Sequence, residues 1–278
     1  MSIRSPMTSL APVRGRPRAS DDNPSGIAAL DVGLEILRVI SEHHGAIGLS
    51  DLSRLTGEKP NRLHRYLVSF RERGFLSQAE NSGLYDLGPQ AYALGLSALR
   101  RYDPIRGVRE ATVAIRNATG NQTNLYVWTP RGPTLIASEQ GIHYFPVMIR
   151  PGTALPLADS ITGLVFLAWT SRDKTQALFD EEVSMAARDG ISIDVAGIEA
   201  QLKEIRKTDV YWSNRAIISH NGAVMPLFDD SGEVACCVTT VIPRGMRDAQ
   251  TQEATEKAFK NAVENLPLKT ASQAGRLL

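Results

Sequence analysis

The side chains best suited to chemistry lie between Lys59 and Arg73. Leu63, Leu67 and Phe70 recur at helical spacing, and Lys59, Arg62, Arg65, Arg71 and Arg73 lie off that apolar line, so one amphipathic helix carries a face rich in guanidinium groups. A guanidinium can hold guanine O6 and N7 together, and an amide can hold adenine N6 and N7. Asn61, Arg62 and Arg65 are therefore candidates for reading base edges, with His64 and Tyr66 beside them. Lys59, Arg71, Arg73 and the backbone amides near Ser50 suit phosphate, which fixes register without reading sequence. The plain alternative is a solvated helix face.

Such a helix needs elements to hold it. From Leu49 to Gly57 the chain predicts a short helix with Leu49, Leu52 and Leu55 on one face, Ser50 as cap and Gly57 as stop. With the basic helix it forms a helix-turn-helix. A helix over Ala28–His44 supplies a third wall through Leu30, Leu34, Leu37, Val39 and Ile40. After Gly74, the stretches 75–78 and 83–87 flank a polar turn at Glu80, Asn81 and Ser82, which reads as a two-stranded wing. Residues 26–88 are thus a winged helix-turn-helix, mainly α.

At 278 residues the chain is long enough for two domains with separate cores. A net charge of +1 offers no global attraction to a polyanion, so affinity for DNA has to come from local basic clusters. The two cysteines, Cys236 and Cys237, are adjacent in an apolar strand pattern, where neighbours point to opposite faces. They fit a reducing compartment without a disulfide framework. No apolar run reaches the roughly 18 to 20 residues of a membrane span, and the first residues lack a signal-peptide core. The expectation is a soluble, cytoplasmic protein. No phosphate loop, paired-carboxylate site, Cys-x-x-Cys or His-Glu-x-x-His spacing occurs, so no cofactor, metal site or catalytic residue is expected.

Residues 1–25 are rich in Pro, Ser, Arg and Ala without periodicity and read as a disordered basic arm. Its Arg14-Gly15-Arg16-Pro17-Arg18 is similar to the core of AT-hook peptides, which lie in a narrow minor groove; the alternative is a solubilising tail. Residues 89–102 form a linker helix, opened by Pro89, whose stripe of Ala91, Leu94, Ala98 and Leu99 serves either a dimer contact or packing within the domain. Residues 103–278 then begin with a helix from Pro104 to Thr119, through Ile105, Val108, Ala111, Val113 and Ile115. Strands are expected at 124–129, 133–139 and 143–149, helices at 159–170, 174–188 and 195–208, strands at 210–213, 223–228 and 233–242, and a helix at 250–265. Strands at both ends with helices between them predict an α+β sheet domain.

The order of these parts resembles the IclR family of bacterial transcription regulators from about Gly26 to Leu266. The resemblance rests on Gly57 to Leu67 with its His64-Arg65 pair, Arg73-Gly74-Phe75, Tyr85-Asp86-Leu87-Gly88-Pro89, Asn124-Leu125, Leu155-Pro156-Leu157 with Gly163, and Pro226-Leu227-Phe228-Asp229 with Gly232. It implies a homodimer or homotetramer that binds a palindromic double-stranded DNA operator through the winged helix, and a GAF-like C-terminal domain that binds a small effector. In that family backbone amides at a helix start form part of the pocket, which here places Ser160 and Ile161 there, with Asp159 as a cap that competes with an anionic ligand. Where organic-acid-sensing members carry Asp, Cys, Ser and Ser, this chain has Ser213, Gly222, Thr239 and Val241. The loss of charge points to a larger or less polar effector, aromatic for instance, with Met148, Leu157 and Trp212 as lining and Arg150 as a carboxylate partner or an exposed loop arginine. The wing also departs from the family, with Leu84 and Asp86 flanking Tyr85 where arginine is usual, which turns attention to Arg14 and Arg16.

Two other readings stand beside this one. A C-terminal domain that only oligomerises would leave a regulator without an effector. An enzyme would use Cys236 or Cys237 as nucleophile with His143 or His220 as base, but a Val-Ala-Cys-Cys-Val strand favours buried, inert thiols.

Overall fold

A computed structural model of the chain describes residues 26–43, 45–101, 105, 107–142, 149–213 and 220–277, apart from the side chains of 99, 100, 220, 221 and 244. The 1–25 arm with Arg14 and Arg16, the residues His143 and Met148, and all but the last residue of the strand expected at 143–149 lie outside the described residues. The chain divides into two compact units between Ala98 and Leu99.

In the first unit the order is α1 (Ala28–Glu42), α2 (Leu49–Thr56), α3 (Pro60–Glu72), β1 (Leu76–Gln78), β2 (Tyr85–Leu87) and α4 (Pro89–Arg101), the last running past the division. Ile36, Ile40, Leu52, Leu63, Leu67 and Leu76 close its core. Pro60 starts α3 with a preset backbone angle and no wasted donor. Gly57 ends α2 at φ +71°, a left-handed turn that an L side chain resists, and this sends the chain sharply into α3. The wing is antiparallel, with Leu76 opposite Leu87 and Gln78 opposite Tyr85. Ile47 joins the wing through an isolated antiparallel bridge, exchanging two 2.8 Å backbone hydrogen bonds with Tyr85.

Several expected faces are corrected. Ser50 is not a cap: Gly48 takes that place, its carbonyl accepting from the Leu52 amide at 3.0 Å, and Ser50 is an exposed residue of the first turn. Leu30 and Leu34 are 56% and 55% exposed, and Leu55 is 48% exposed. In α1 the buried line is Gly33, Ile36, Val39 and Ile40 instead. Both lines have helical spacing and differ by a rotation of the helix, which periodicity alone does not fix.

The second unit comprises α5 (Val108–Thr119), β3 (Gln122–Thr129), β4 (Gly132–Glu139), α6 (Ile161–Trp169), α7 (Arg172–Arg188), α8 (Val195–Ile205), β5 (Tyr211–Ser213), β6 (His220–Phe228), β7 (Val234–Pro243) and α9 (Ala249–Val263). The helix expected from Pro104 starts only at Val108, after Gly107 at φ +83°, and Val113 is 38% exposed while Thr112 takes the buried place. The five strands form one antiparallel sheet in the order β4-β3-β7-β6-β5. On one face α5 and α9 contribute Val108, Ile115 and Phe259 to a core with Leu125, Met225 and Val238. On the other, α6, α7 and α8 contribute Phe166, Phe179 and Leu202 to a core with Tyr126, Val224 and Cys237. Adjacent Cys236 and Cys237 therefore enter different cores. The outer edge of β4 is covered by the segment before α6, through Leu135 N to Thr153 O at 2.9 Å and Leu155 N to Pro133 O at 2.8 Å. No helix among the described residues is long and apolar enough to cross a membrane.

Candidate nucleic-acid interface and effector face

Burying Leu63 and Leu67 turns the opposite side of α3 outward. Asn61, Arg62, His64 and Arg65 are exposed there, as are Lys59 at the N-cap and Arg73 at the C-cap. Tyr66 is half-buried, its ring edge against the α1 backbone at Gly33. The cations are not equivalent. The Arg65 and Arg73 side chains have no partner among the described residues, whereas Arg62 Nη1 donates to both carboxylate oxygens of Glu58 at 3.1 Å. The Tyr66 phenol, then the Glu58 carboxylate, raise the Arg62 pKa further above its ordinary value, so its charge is constant. Arg71 Nη1 donates to Gln78 Oε1 at 2.7 Å, and Gln78 Nε2 donates to the Gly83 carbonyl at 3.0 Å. Arg71 thus ties the end of α3 to the wing. Glu58 and Gln78 were missed from the sequence, although a Glu four residues before an Arg is a readable helical pair.

At the start of α2 the amides of Leu49, Ser50 and Asp51 donate to no group among the described residues, which leaves donors free for a phosphate next to exposed Ser50. The wing between Phe75 and Leu87 carries no Lys or Arg, and Asp86 is exposed on it.

In the second unit the strand register assembles four expected effector residues on one face. Ser213 lies opposite Gly222, Gly222 opposite Val241, and Val241 opposite Gln122. The neighbouring row runs Tyr211, Val224, Thr239, Asn124 and Ser138. Because Tyr211, Val224, Cys237 and Tyr126 belong to the core under α6, the positions two residues along each strand face that side as well. Asn124 Oδ1 accepts from Ser138 Oγ at 2.7 Å and from Gln122 Nε2 at 3.2 Å. Ser213, Thr239 and Asn124 are buried, and neither row carries a charge. Burial pushes the Tyr126 phenol above its ordinary range, so it stays neutral too. Gln122 and Ser138 were not singled out from the sequence, and Asn124 only as part of the family resemblance; the pairing register brings the three to this face.

Other expected positions fall differently. Trp212 is corrected: it points to the α5–α9 side, its Nε1 donating to Glu256 Oε1 at 2.8 Å and its ring lying 5.1 Å from the Arg247 guanidinium. One residue along a strand reverses the face. Asp159 is not the cap of α6. Ser160 is, accepting from Gly163 N at 2.8 Å and donating to the Pro156 carbonyl at 2.6 Å, while Asp159 is exposed. The amides of Ser160 and Ile161 donate to nothing among the described residues. The preceding pair is occupied: the Glu182 carboxylate accepts from Leu157 N at 2.7 and 2.9 Å and from Ala158 N at 2.9 Å. Leu157 itself is buried in the core, and Arg150 is exposed. Burial raises both cysteine thiols, which keeps them protonated.

Residues 29–80 match the IclR helix-turn-helix domain, the segment that holds all but the first residue of α1, then α2, α3 and β1. The chain is 23% identical over 206 residues to the transcriptional repressor IclR of Escherichia coli K12, covering 73% of this chain and 72% of that one. The helix-turn-helix of this chain is of the IclR type. Its fold matches an IclR transcriptional regulator of Silicibacter sp. TM1040 with a TM-score of 0.72 at 23% identity, over 86% of this chain and 95% of the other. An IclR homologue from Microbacterium hydrocarbonoxydans, complexed with 4-hydroxybenzoate, matches with a TM-score of 0.65 at 16% identity, over 86% and 99%. With that domain the chain is similar to DNA-binding transcriptional regulators rather than to enzymes, and its second unit shares the α+β fold of these structures.

Proposed function

We propose that this regulator binds a palindromic operator as a dimer, or a tetramer built from dimers, in the cytoplasm, and that an aromatic organic effector on the α6 face of the sheet changes its affinity for DNA. The observation that carries the DNA part is α3, which offers Asn61, Arg62, His64 and Arg65 to a major groove while Lys59, Arg71, Arg73 and the α2 amides near Ser50 meet phosphate. One such helix reads too few base pairs for selectivity, and two read both halves of a palindrome. Exposed Leu30 and Leu34 on α1 and Tyr92 and Leu94 on α4 offer apolar surface for the second copy.

The effector part rests on the uncharged polar rows through Ser213, Gly222, Thr239 and Val241, set against an apolar core, and on the free amides of Ser160 and Ile161. A flat ring suits the apolar wall, and a carboxylate or phenol suits the amides. The 4-hydroxybenzoate complex of the Microbacterium homologue points to the same ligand class.

The test is titration of the protein onto DNA flanking its own gene at two salt concentrations, with wild type and Arg65→Ala, followed by a thermal-shift screen of hydroxylated benzoates. Sequence-preferring binding that Arg65→Ala loses, together with a saturable stabilisation shifting DNA affinity by roughly 5- to 150-fold, supports the proposal. Salt-driven binding indifferent to Arg65 refutes the DNA part. A protein that binds DNA but responds to no effector has a second unit that only oligomerises.

A further inference from the structure

A separate cleft of about 510 Å³ opens between the C-terminal half of α7, the turn into α8, the first turns of α8 and the loop that precedes α6. That is within the size range of small-molecule sites. Met185, Ile191 and Ile198 give it apolar walls. Its charged lining consists of the carboxylates of Asp159, Glu182 and Asp194, with no Lys or Arg among the lining residues.

Among the described residues these acids form no ion pairs. Glu182 accepts from the Leu157 and Ala158 amides, Asp194 Oδ1 accepts from Gly197 N at 2.9 Å, and Asp159 has no partner among the described residues. Carboxylates against low-dielectric walls focus a negative potential. Gln201, a half-buried residue, also lines the cleft, and its Oε1 is shielded from solvent with no hydrogen-bond partner among the described residues. A buried acceptor left empty is an exception that a bound donor would explain.

The chemistry of the occupant follows from these features. An anion is repelled. A hard divalent cation needs converging oxygen ligands, and no group of three or more His, Cys, Asp or Glu is placed to supply them among the described residues. We infer that the cleft binds an organic cation with an apolar body, of the arylalkylamine class. Its ring would lie against Met185, Ile191 and Ile198, its ammonium would meet the field of Asp159, Glu182 and Asp194, and one N–H would go to Gln201. Glu182 also fixes the two amides just ahead of the α6 cap, so this site adjoins the start of α6 without depending on the effector reading above.

The experiment is calorimetric titration of the full chain, free of DNA, with benzylamine and 2-phenylethylamine, using benzyl alcohol and benzoate as the uncharged and anionic counterparts. The expected result is saturable binding of the amines at one site per chain, with the alcohol and the acid weaker by about tenfold or more. Asp159→Asn alone, at an exposed side chain, weakens the amines several-fold, and Asp159→Asn with Gln201→Leu abolishes the remainder in a chain whose circular dichroism is unchanged. The inference is overturned if the amines do not bind, if benzyl alcohol binds as well, or if Asp159→Asn leaves binding intact. Loss of amine binding in Thr239→Val overturns it too, by moving the amine to the sheet face.

Discussion

Glu58 holds Arg62 from one helical turn away, and the pair is lopsided: the Glu58 side chain is 20% exposed and that of Arg62 52%. The acid is thus the fixed partner and the guanidinium the positioned one. An exposed pair of this kind adds little to stability, so its consequence lies in where Arg62 points. Glu58→Ala is expected to leave the melting temperature nearly unchanged, to raise affinity for random duplex at low salt by removing a negative charge beside phosphate, and to lower preference for operator by about 1 kcal/mol. Competition binding against random duplex checks this. An unchanged preference would show that Glu58 does not orient Arg62.

Arg65 and Arg73 are both exposed and without a partner among the described residues, yet they occupy different parts of α3. Arg65 follows the buried Leu63 on the outward face, and Arg73 caps the C-terminus. Arg65→Ala is expected to cost about 1 to 3 kcal/mol at one base-pair position and to relax specificity there, whereas Arg73→Ala weakens all sequences alike and reduces the salt slope by about one. Titrations over a salt series against single-base operator variants separate the two. Identical behaviour of the two variants would place α3 outside the major groove.

Much of this was legible in the sequence where one residue type decides the local backbone. Gly57 and Pro89 mark helix ends, and the apolar alternation around Cys236 and Cys237 assigned the two thiols to opposite faces. The sequence was weaker where two solutions share one period. Leu30 and Leu34 repeat as well as Ile36 and Ile40 do, and only packing selects the second line. Trp212 failed for the same reason with period two, since a strand of Tyr211, Trp212 and Ser213 offers an apolar residue to either face. The bond from Glu182 to the Leu157 amide joins residues 25 apart, and the row from Ser138 to Tyr211 depends on register across five strands. Neither leaves a local pattern to read.

The wing has no cation, and Tyr85, its aromatic residue, is buried in the core rather than offered to a groove. Any arginine in the minor groove has to come from another segment, and Arg14 and Arg16 in the arm are the candidates. Deleting residues 1–25 is expected to weaken operator binding and to lower its salt slope by roughly one unit for each phosphate that the arm neutralises. Equal affinity and equal slope in the truncated and full chains would remove the arm from the interface.

Cys236 and Cys237 are wholly buried in separate cores, and burial raises both thiols above their ordinary range. Neither offers thiolate at neutral pH, so a thiol reagent can reach them only when the second unit opens. Native protein is expected to react with Ellman's reagent at the rate of that opening, and both thiols at once in denaturant. Rapid labelling of one cysteine in the native state would reopen the possibility of a reactive site on β7.

At Gly163 α6 lies close against the chain that leads into it. A Cβ there would meet the Pro156 carbonyl oxygen at 2.2 Å and Leu157 Cα at 2.6 Å, both backbone atoms that no rotamer change can clear. Gly163→Ala therefore has to displace either the helix or the 156–158 segment. That segment carries the Leu157 and Ala158 amides held by Glu182 and the carbonyl that accepts from the Ser160 cap. Overpacking of this kind costs about 1 to 3 kcal/mol before those bonds are counted. In a unit of this size it lowers the melting temperature by roughly 2 to 4 °C per kcal/mol. Gly95→Ala on α4, where a Cβ meets nothing within 4 Å, is the matched control and is expected to be neutral or slightly stabilising. Calorimetry of both variants decides the point. A Gly163→Ala protein that melts with wild type would mean that α6 does not approach Pro156 this closely, whereas a lowered transition accompanied by loss of effector-induced stabilisation below it would tie the Ser160 and Ile161 amides to the ligand.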